Sequence, residues 1–302
     1  QDIHVQQMSG FPNQEFGYEL GVSACYAGII GNKLVMAGGC NFAGKSAAEG
    51  GPKYFYKGIY TAEITEDSVL VWKQVGELPS PVAYGVSISR SGEMILIGGN
   101  NADGGLTSVF RLKLAEDGGA ILDTLPSLPF AQDNMSGAAS GNTIYVAGGN
   151  RNGSPSTSML SLNLNEPELG WKEEVPFPGA ARVQPVCAVQ DGMLYLWGGF
   201  CPSQNGGEAS VATDGYRYLP LQEQWEPVPA PAVAETGEPL TLTGGTSCVW
   251  SDSIILCTGG VDKDIFLDAI SGDYKRIAKE DYLLQPVAWY RFNGRLMAYN
   301  TR

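Results

Sequence analysis

Short apolar runs recur along the chain, and each ends in a pair of glycines. The runs are four or five residues long, which is a typical strand length. Five copies are present, with their glycine pairs at Gly38-Gly39, Gly98-Gly99, Gly148-Gly149, Gly198-Gly199 and Gly259-Gly260. The first glycines of successive pairs lie 60, 50, 50 and 61 residues apart. This regularity indicates an internal structural repeat.

A repeat of about 50 residues is typical of kelch β-propellers. An aromatic or apolar residue on the third strand, about seven positions before a tryptophan on the fourth, marks the end of a blade, as at Leu164 and Trp171 or Tyr218 and Trp225. The predicted fold class is therefore all-β, a kelch-type β-propeller with five blade signals. The four strands of the first blade are predicted at residues 23–30, 33–37, 56–64 and 69–75.

The two ends of the chain predict how the ring of blades closes. The run at 4–8 resembles the outermost strands, and the run at 295–301 resembles a third strand. An N-terminal strand can then complete the fifth blade, which leaves no open sheet edge. We therefore expect residues 1–302 to form a single domain.

Strands alternate in direction, so the loops between second and third strands emerge at the same end as the connections between blades. The long loops of this kind are predicted at 40–55, 200–213 and 261–290. Long loops on one face of a rigid scaffold are where binding and catalysis usually occur. We expect the functional site at that face.

Charge and composition exclude several classes of function. The formal net charge is −13, which argues against a nucleic-acid partner and against anionic membrane surfaces. The sequence contains no run of 18 apolar residues, so no membrane-spanning helix is predicted. His4 is the only histidine, so neither a Ser-His-Asp triad nor a multi-histidine metal site is expected. The six cysteines are expected to be buried free thiols, with disulfides or a bound metal as the lesser alternatives.

Several local motifs carry a family resemblance. They include the loop Glu49-Gly50-Gly51-Pro52-Lys53, the segment Ala83-Tyr84-Gly85-Val86-Ser87, and Phe177-Pro178-Gly179 followed by Arg182. A further motif is Gly259-Gly260-Val261-Asp262. With these motifs the chain resembles the N-acetylneuraminate epimerases (sialic acid mutarotases), in their cyclically permuted branch.

The resemblance implies a six-bladed propeller that interconverts the anomers of N-acetylneuraminate without metal or cofactor. It also implies a small acidic sugar as the partner and export to the periplasm, or secretion, with a signal peptide removed. The family's sixth blade carries a Glu and an Arg in a stretch of the type N-G-E-x-K-P-G-x-R, which has no match here. The catalytic residues are therefore unassigned, and an oligomer is left open.

Six residues are candidates for substrate binding. An arginine fork suits a carboxylate, which favours Arg182, and Glu, Lys and Asn suit hydroxyl groups. The other candidates lie in the long loops or beside the glycine pairs: Glu49, Lys53, Asn41, Asp262 and Tyr84. The alternative to a mutarotase is a non-catalytic kelch module that binds a glycan or a protein, because a fold does not settle function.

Overall fold

The computed structural model describes residues 6–65, 68–203 and 207–302. The chain divides into two compact units, unit 1 at Gln1–Leu128 and unit 2 at Pro129–Arg302. His4 and Val5, which belong to the predicted ring-closing strand, lie outside the described residues. The closure by this strand and the single domain stay predictions.

The described part of unit 1 contains twelve strands, most of them antiparallel neighbours along the chain. They are β1 Tyr26–Ile30, β2 Lys33–Ala37, β3 Cys40–Asn41, β4 Tyr54–Phe55, β5 Gly58–Glu63, β6 Lys73–Glu77, β7 Val86–Arg90, β8 Glu93–Ile97, β9 Asn100–Asn101, β10 Gly104–Gly105, β11 Val109–Leu114 and β12 Ala120–Thr124. Short 3-10 helices lie at Tyr18–Leu20 and Ala47–Glu49.

Two four-stranded sheets form the blades of unit 1. Blade 1 has the order β1-β2-β5-β6 and blade 2 has the order β7-β8-β11-β12. The predicted second strand, 33–37, matches β2 residue for residue. The predicted outer strand at 69–75 is wrong in position, because β6 begins only at Lys73. Val69 instead forms an isolated parallel bridge with Ser9, a partner distant in sequence.

The described part of unit 2 contains sixteen strands. They are β13 Gln132–Asp133, β14 Ser136–Ser140, β15 Thr143–Ala147, β16 Asn150–Arg151, β17 Ser154–Pro155, β18 Met159–Asn163, β19 Lys172–Glu173, β20 Val186–Gln190, β21 Met193–Trp197, β22 Phe200–Cys201, β23 Ser210–Val211, β24 Gly215–Leu219, β25 Gln224–Pro227, β26 Thr246–Ser251, β27 Ile254–Thr258 and β28 Leu296–Asn300. Short 3-10 helices lie at Pro167–Leu169 and Val287–Tyr290.

Three sheets form the blades of unit 2. Blade 3 is β14-β15-β18-β19, blade 4 is β20-β21-β24-β25, and blade 5 is the three-stranded sheet β26-β27-β28. The predicted third strand at the C-terminal end is confirmed as β28, which pairs with β27. The predicted loop 261–290 lies between β27 and β28, the second and third strands of blade 5. It holds helices α1 Lys263–Ile270 and α2 Lys279–Tyr282.

Apolar side chains fill the space between neighbouring blades within each unit. In unit 1, Val35 and Ile59 of blade 1 belong to the same buried cluster as Leu96 and Leu112 of blade 2. In unit 2, Trp197 of blade 4 packs with Ile255 of blade 5 in another cluster. Apolar area buried in this way, at about 25 cal/mol per Å², is the main favourable contribution to the fold. No described helix is long and apolar enough to span a bilayer.

The carbonyl of the first glycine in each pair accepts a side-chain hydrogen bond, although the donor differs in every blade. Both glycines of each pair have a positive φ, so this carbonyl turns out of the sheet ladder. The donors are Tyr18 to Gly38 at 2.9 Å, Tyr26 to Gly98 at 2.5 Å, Gln132 to Gly148 at 2.8 Å, Arg182 to Gly198 at 3.3 Å and Asn293 to Gly259 at 3.0 Å. A buried carbonyl left unpaired would cost about 1–3 kcal/mol.

Candidate functional site

One residue per blade adopts a left-handed backbone just before the blade's first strand. We call it the corner residue, and it lies two positions ahead of that strand. The corner residues are Ala24 (φ 57°), Tyr84 (φ 61°), Asn134 (φ 54°), Gln184 (φ 51°) and Gly244 (φ 74°). For residues other than glycine or asparagine this conformation is uncommon, and such residues concentrate at functional sites.

Corner residues of neighbouring blades are joined through their backbones. The Tyr84 amide donates to the Ala24 carbonyl at 2.9 Å, and the Gln184 amide donates to the Asn134 carbonyl at 2.7 Å. The residue before each corner also pairs with the residue after the glycine pair, as in Ala83 with Asn100. These backbone hydrogen bonds form a fixed frame at the start of the first strands. The frame sets the direction of the side chain at each corner.

In unit 1 the frame presents a cation above aromatic rings. Lys53 Nζ donates to the Tyr84 hydroxyl at 2.8 Å. It lies 4.7 Å from the centre of the Tyr84 ring and 5.8 Å from that of Phe42. Burial raises the pKa of Tyr84, and the hydrogen bond from Lys53 offsets only part of this rise. Tyr84 therefore stays a neutral phenol at pH 7, and Lys53 supplies the positive charge.

Lys53 has no carboxylate within ion-pair distance among the described residues. The acidic residue of its own loop, Glu49, is engaged elsewhere. Its Oε2 accepts the Ser46 hydroxyl at 2.6 Å and the Ser46 amide at 3.4 Å, which caps the short helix Ala47–Glu49. The structure brings Lys53 and Tyr84 together and assigns Glu49 a capping contact.

Asn41 is held entirely by its surroundings. Its Nδ2 donates to the carbonyls of Gly17 and Gly21, both at 2.8 Å, and its Oδ1 accepts the Tyr56 hydroxyl at 2.8 Å. These contacts tie the segment around Tyr18–Leu20 to blade 1. Asn41 thus stabilises this corner of the fold, and its role as a substrate ligand stays a prediction.

Arg182 lies in unit 2 and is only 1% exposed. Its Nη1 and Nη2 donate to the two oxygens of Asp214, at 2.6 and 3.1 Å, and its Nε donates to the Ala180 carbonyl at 2.9 Å. Asp214 also accepts the Tyr216 hydroxyl at 3.1 Å. Arg182 and Asp214 are among the residues that line a cavity of about 220 Å³.

The fork predicted to bind a substrate carboxylate is therefore already paired with a carboxylate of the protein. Burial of Asp214 raises its pKa, but the hydrogen bonds and charge of Arg182 outweigh burial, so the net pKa is lowered. A substrate anion would have to compete with this intramolecular pair. Binding of a substrate by Arg182 stays a prediction.

Asp262 is the N-cap residue of helix α1. Its Oδ1 accepts the amides of Asp264 at 3.1 Å and Ile265 at 3.0 Å, which is the usual role of an aspartate at the N-cap. The sequence motif that contains Asp262 marks the start of a helix in the long loop of blade 5. Its role as a substrate ligand stays a prediction.

Sequence reasoning missed a polar cluster at the corner of blades 3 and 4. Asp133 is 6% exposed. Its Oδ1 accepts hydrogen bonds from two side-chain amides, Asn134 Nδ2 at 2.6 Å and Asn150 Nδ2 at 2.8 Å. Gln184 Nε2 donates to Asn134 Oδ1 at 3.0 Å. Aligning the repeats on their glycine pairs would have found it, because Asn134 and Gln184 then fall at the position of Tyr84.

Comparison with known proteins identifies the family. The family model described as N-acetylneuraminate epimerase matches residues 1–121 and 125–302. The chain belongs to the N-acetylneuraminate epimerase family. The predicted resemblance is thereby confirmed.

Curated relatives of this epimerase family member carry the same family name. The N-acetylneuraminate epimerase of Salmonella arizonae is 32% identical over 187 residues, which are 59% of this chain and 46% of that protein. The one from Haemophilus influenzae is 31% identical over 183 residues, 58% of this chain and 46% of that protein. The aligned part thus spans about half the length of the curated relatives.

A solved structure supports the fold of this family member. The structure of YjhT superimposes with a TM-score of 0.63 at 13% sequence identity, covering 80% of this chain and 78% of that chain. At this identity the likeness concerns the fold alone. The predicted fold class, a kelch-type β-propeller, is confirmed.

No described group of three or more His, Cys, Asp or Glu side chains in this epimerase family member is arranged to hold a metal ion. The polar groups at the corners are instead an ammonium, a phenol, amides and one carboxylate. Such groups form hydrogen bonds and move protons, which is the chemistry of sugar recognition and of acid–base catalysis.

Proposed function

We propose that the protein is a mutarotase that interconverts the α and β anomers of N-acetylneuraminate. The observation that carries this proposal is the family match over nearly the whole chain. The curated relatives named N-acetylneuraminate epimerase support it at about 30% identity. Export to the periplasm, or secretion, stays a prediction.

The proposed reaction opens and recloses a cyclic hemiketal. A base removes the proton of the anomeric hydroxyl while the bond from the anomeric carbon to the ring oxygen breaks, and an acid gives a proton to that oxygen. The open-chain ketone then closes on its other face by the reverse transfers. Every proton and electron pair is balanced by these two groups, and acid–base help of this kind is typically worth about 10²–10⁴-fold in rate.

Lys53 is the residue that we propose for recognition of the substrate carboxylate. Its ammonium has no acidic partner among the described residues, whereas Arg182 is committed to Asp214. The rings of Tyr84 and Phe42 hold the ammonium by cation–π contact. Tyr84 also fixes its position by accepting a hydrogen bond, which leaves further N–H donors of Lys53 for an anion.

The experiment is a proton NMR time course with freshly dissolved α anomer of N-acetylneuraminate. We expect the protein to shorten the approach to the anomeric equilibrium compared with buffer. We expect Lys53→Met to raise KM about tenfold or more, because one charge-assisted contact is lost. Lys73→Met is the matched control, since Lys73 is an exposed lysine on β6 of the same blade.

Two results would contradict the proposal in different ways. An equilibration rate equal to that in buffer, with calorimetric binding of the sugar retained, would identify a non-catalytic glycan-binding kelch module. Equal kinetic constants for Lys53→Met and Lys73→Met would leave the mutarotase in place and remove Lys53 from recognition of the carboxylate.

A further inference from the structure

We infer that Asp133, held by Asn134 and Asn150, binds a neutral hydroxyl group of a sugar ligand in unit 2. The identity of the sugar rests on the proposed function, and the site itself rests on the geometry of blades 3 and 4. None of these three residues was among the candidates from the sequence. The ligand class follows from what the Asp133 carboxylate still lacks.

Asp133 has one satisfied oxygen and one available oxygen. Oδ1 accepts the amides of Asn134 at 2.6 Å and Asn150 at 2.8 Å. Oδ2 accepts no hydrogen bond from the described residues. Although the residue as a whole is only 6% exposed, Oδ2 itself is not shut off from the surface. Oδ2 is therefore free to accept a hydrogen bond from a ligand.

The orientation of this carboxylate is fixed by the frame of the blade. Asp133 and Asn150 are direct partners in the pairing of β13 with β16. The side chain of Asn134 is in turn fixed by Gln184, which donates to its Oδ1 at 3.0 Å and to its backbone carbonyl at 2.7 Å. The acceptor is therefore held before any ligand arrives, and preorganisation of this kind favours binding.

The missing partner is a neutral hydroxyl donor. An anion is repelled by the carboxylate, and no lysine or arginine lies within ion-pair distance of Asp133 in the described ranges. A metal ion would need further ligands, and no described cluster of metal-binding side chains includes Asp133. A sugar hydroxyl supplies one O–H donor and can also accept a hydrogen bond from the amides that line the corner.

The test compares two forms of one sugar by calorimetry, N-acetylneuraminate and its methyl ester. The ester keeps every hydroxyl and lacks the negative charge. We expect Asp133→Asn to weaken the binding of both forms about tenfold or more, because a hydrogen bond to a charged acceptor is lost in each case. Asp191→Asn is the control, since it makes the same change at the exposed turn between β20 and β21.

Each outcome decides one statement. Unchanged binding of both forms by Asp133→Asn would overturn this inference and leave the proposed function standing. A loss confined to the acid would also overturn it, because the contact would then involve the ligand carboxyl. If the unmodified protein binds neither form, the proposed substrate is wrong, and the inference that rests on it is overturned as well.

A second variant tests the inference even if Asp133→Asn does not fold. Asn150→Ala keeps the carboxylate and removes one of the two donors that hold Oδ1. We expect a smaller loss, about threefold, equal for the acid and the ester. An unchanged affinity in Asn150→Ala, beside a melting temperature that shows Asp133→Asn to be unfolded, would overturn the inference.

Discussion

The corners of unit 1 and unit 2 have the same backbone conformation, but they hold groups of opposite charge. At the corner of blade 2, Tyr84 supports the ammonium of Lys53. At the corner of blade 3, Asn134 supports the carboxylate of Asp133. Because φ is nearly equal at the two corner residues, 61° and 54°, the difference lies in the side chains. The repeat thus sets where a group is held, and the residue at one position per blade sets which group it is.

The largest expected effect tests the shared backbone. A Cβ at Gly149 would lie 2.4 Å from the Asp133 carbonyl oxygen and 2.5 Å from the Met135 amide nitrogen. Backbone atoms cannot move aside cheaply, and φ is positive, so we expect Gly149→Ala to cost about 3–4 kcal/mol of unfolding free energy. Gly153→Ala, with a positive φ and open space around it, should cost only about 1 kcal/mol. Urea denaturation measures both.

The same pair of substitutions can be made in unit 1. A Cβ at Gly99 would lie 2.6 Å from the Ala83 carbonyl oxygen, whereas Gly92 has nothing within 4 Å. If the two corners share one frame, the loss of unfolding free energy in Gly99→Ala must exceed that in Gly92→Ala by a margin similar to that in unit 2. Equal losses for Gly99→Ala and Gly92→Ala would show that the two corners do not share one frame.

The second effect concerns a position at which the two units differ. Arg182 and Val82 both lie two residues before a corner residue, but only Arg182 is charged. Arg182→Ala removes the partner of Asp214 and the donor to Gly198, and we expect a loss of about 2–3 kcal/mol. Arg182→Lys should recover only part, because an ammonium cannot form the two-bond fork. Thermal unfolding of both variants beside wild type measures this, and a wild-type stability of Arg182→Ala would show that the pair is dispensable.

The Arg182–Asp214 pair also predicts a dependence on pH. The pKa of Asp214 is lowered in the folded protein relative to its ordinary value of 3.8. Its contribution to stability is therefore fully present above that ordinary pKa and is lost as the pH falls through the lowered folded value. The difference in stability between wild type and Asp214→Asn should be constant from pH 7 to 5 and should shrink below pH 3.8. A difference that grows on acidification would contradict this assignment.

The third effect concerns the donors to the glycine carbonyls. Tyr26→Phe leaves the Gly98 carbonyl without its side-chain donor and should cost about 1–2 kcal/mol. Gln132→Met also removes a donor, to Gly148, but at the same time it removes Oε1 of Gln132, a buried acceptor with no partner among the described residues. We expect the cost of Gln132→Met to be smaller, about 0.5 kcal/mol. Chemical denaturation that ranks the two variants in the opposite order would contradict this reasoning.

The smallest effect separates capping from recognition in the loop of Lys53. Glu49 caps a short exposed helix, so Glu49→Ala should cost about 0.5 kcal/mol or less. Its affinity for N-acetylneuraminate should equal that of wild type, unlike that of Lys53→Met. Calorimetric binding decides this, and a loss of affinity in Glu49→Ala would return this residue to the binding site.

Local patterns predicted the sheets well. The strand β2 matches its prediction residue for residue, because an apolar run between a turn and a glycine pair leaves little freedom. The start of the outer strand β6 was misplaced by four residues, since Ser9, which pairs with Val69, lies far away in the sequence. Helix α1 was missed because its segment was assigned by its place between two strands rather than by its own pattern.

The chemistry of the site was less accessible from the sequence. Lys53 and Tyr84 were named separately, but their contact crosses 31 residues. Arg182 was chosen for its residue type, and its partner Asp214 lies 32 residues further along. Asp133 was overlooked because its environment depends on Asn150, 17 residues away, and on Gln184 through Asn134. Which groups are free and which are paired is decided by such tertiary contacts.

The origin of the donors to the glycine carbonyls sets how far single blades can be exchanged. In blades 3 and 4 the donor, Gln132 or Arg182, lies in the connection directly ahead of the same blade, 16 residues before its glycine. In blade 2 the donor is Tyr26, in the first strand of the preceding blade, 72 residues before Gly98. A graft of blade 3 or 4 that includes its preceding connection brings its own donor. A graft of blade 2 alone depends on the host for a tyrosine, so its natural unit of transplantation is the pair of blades 1 and 2.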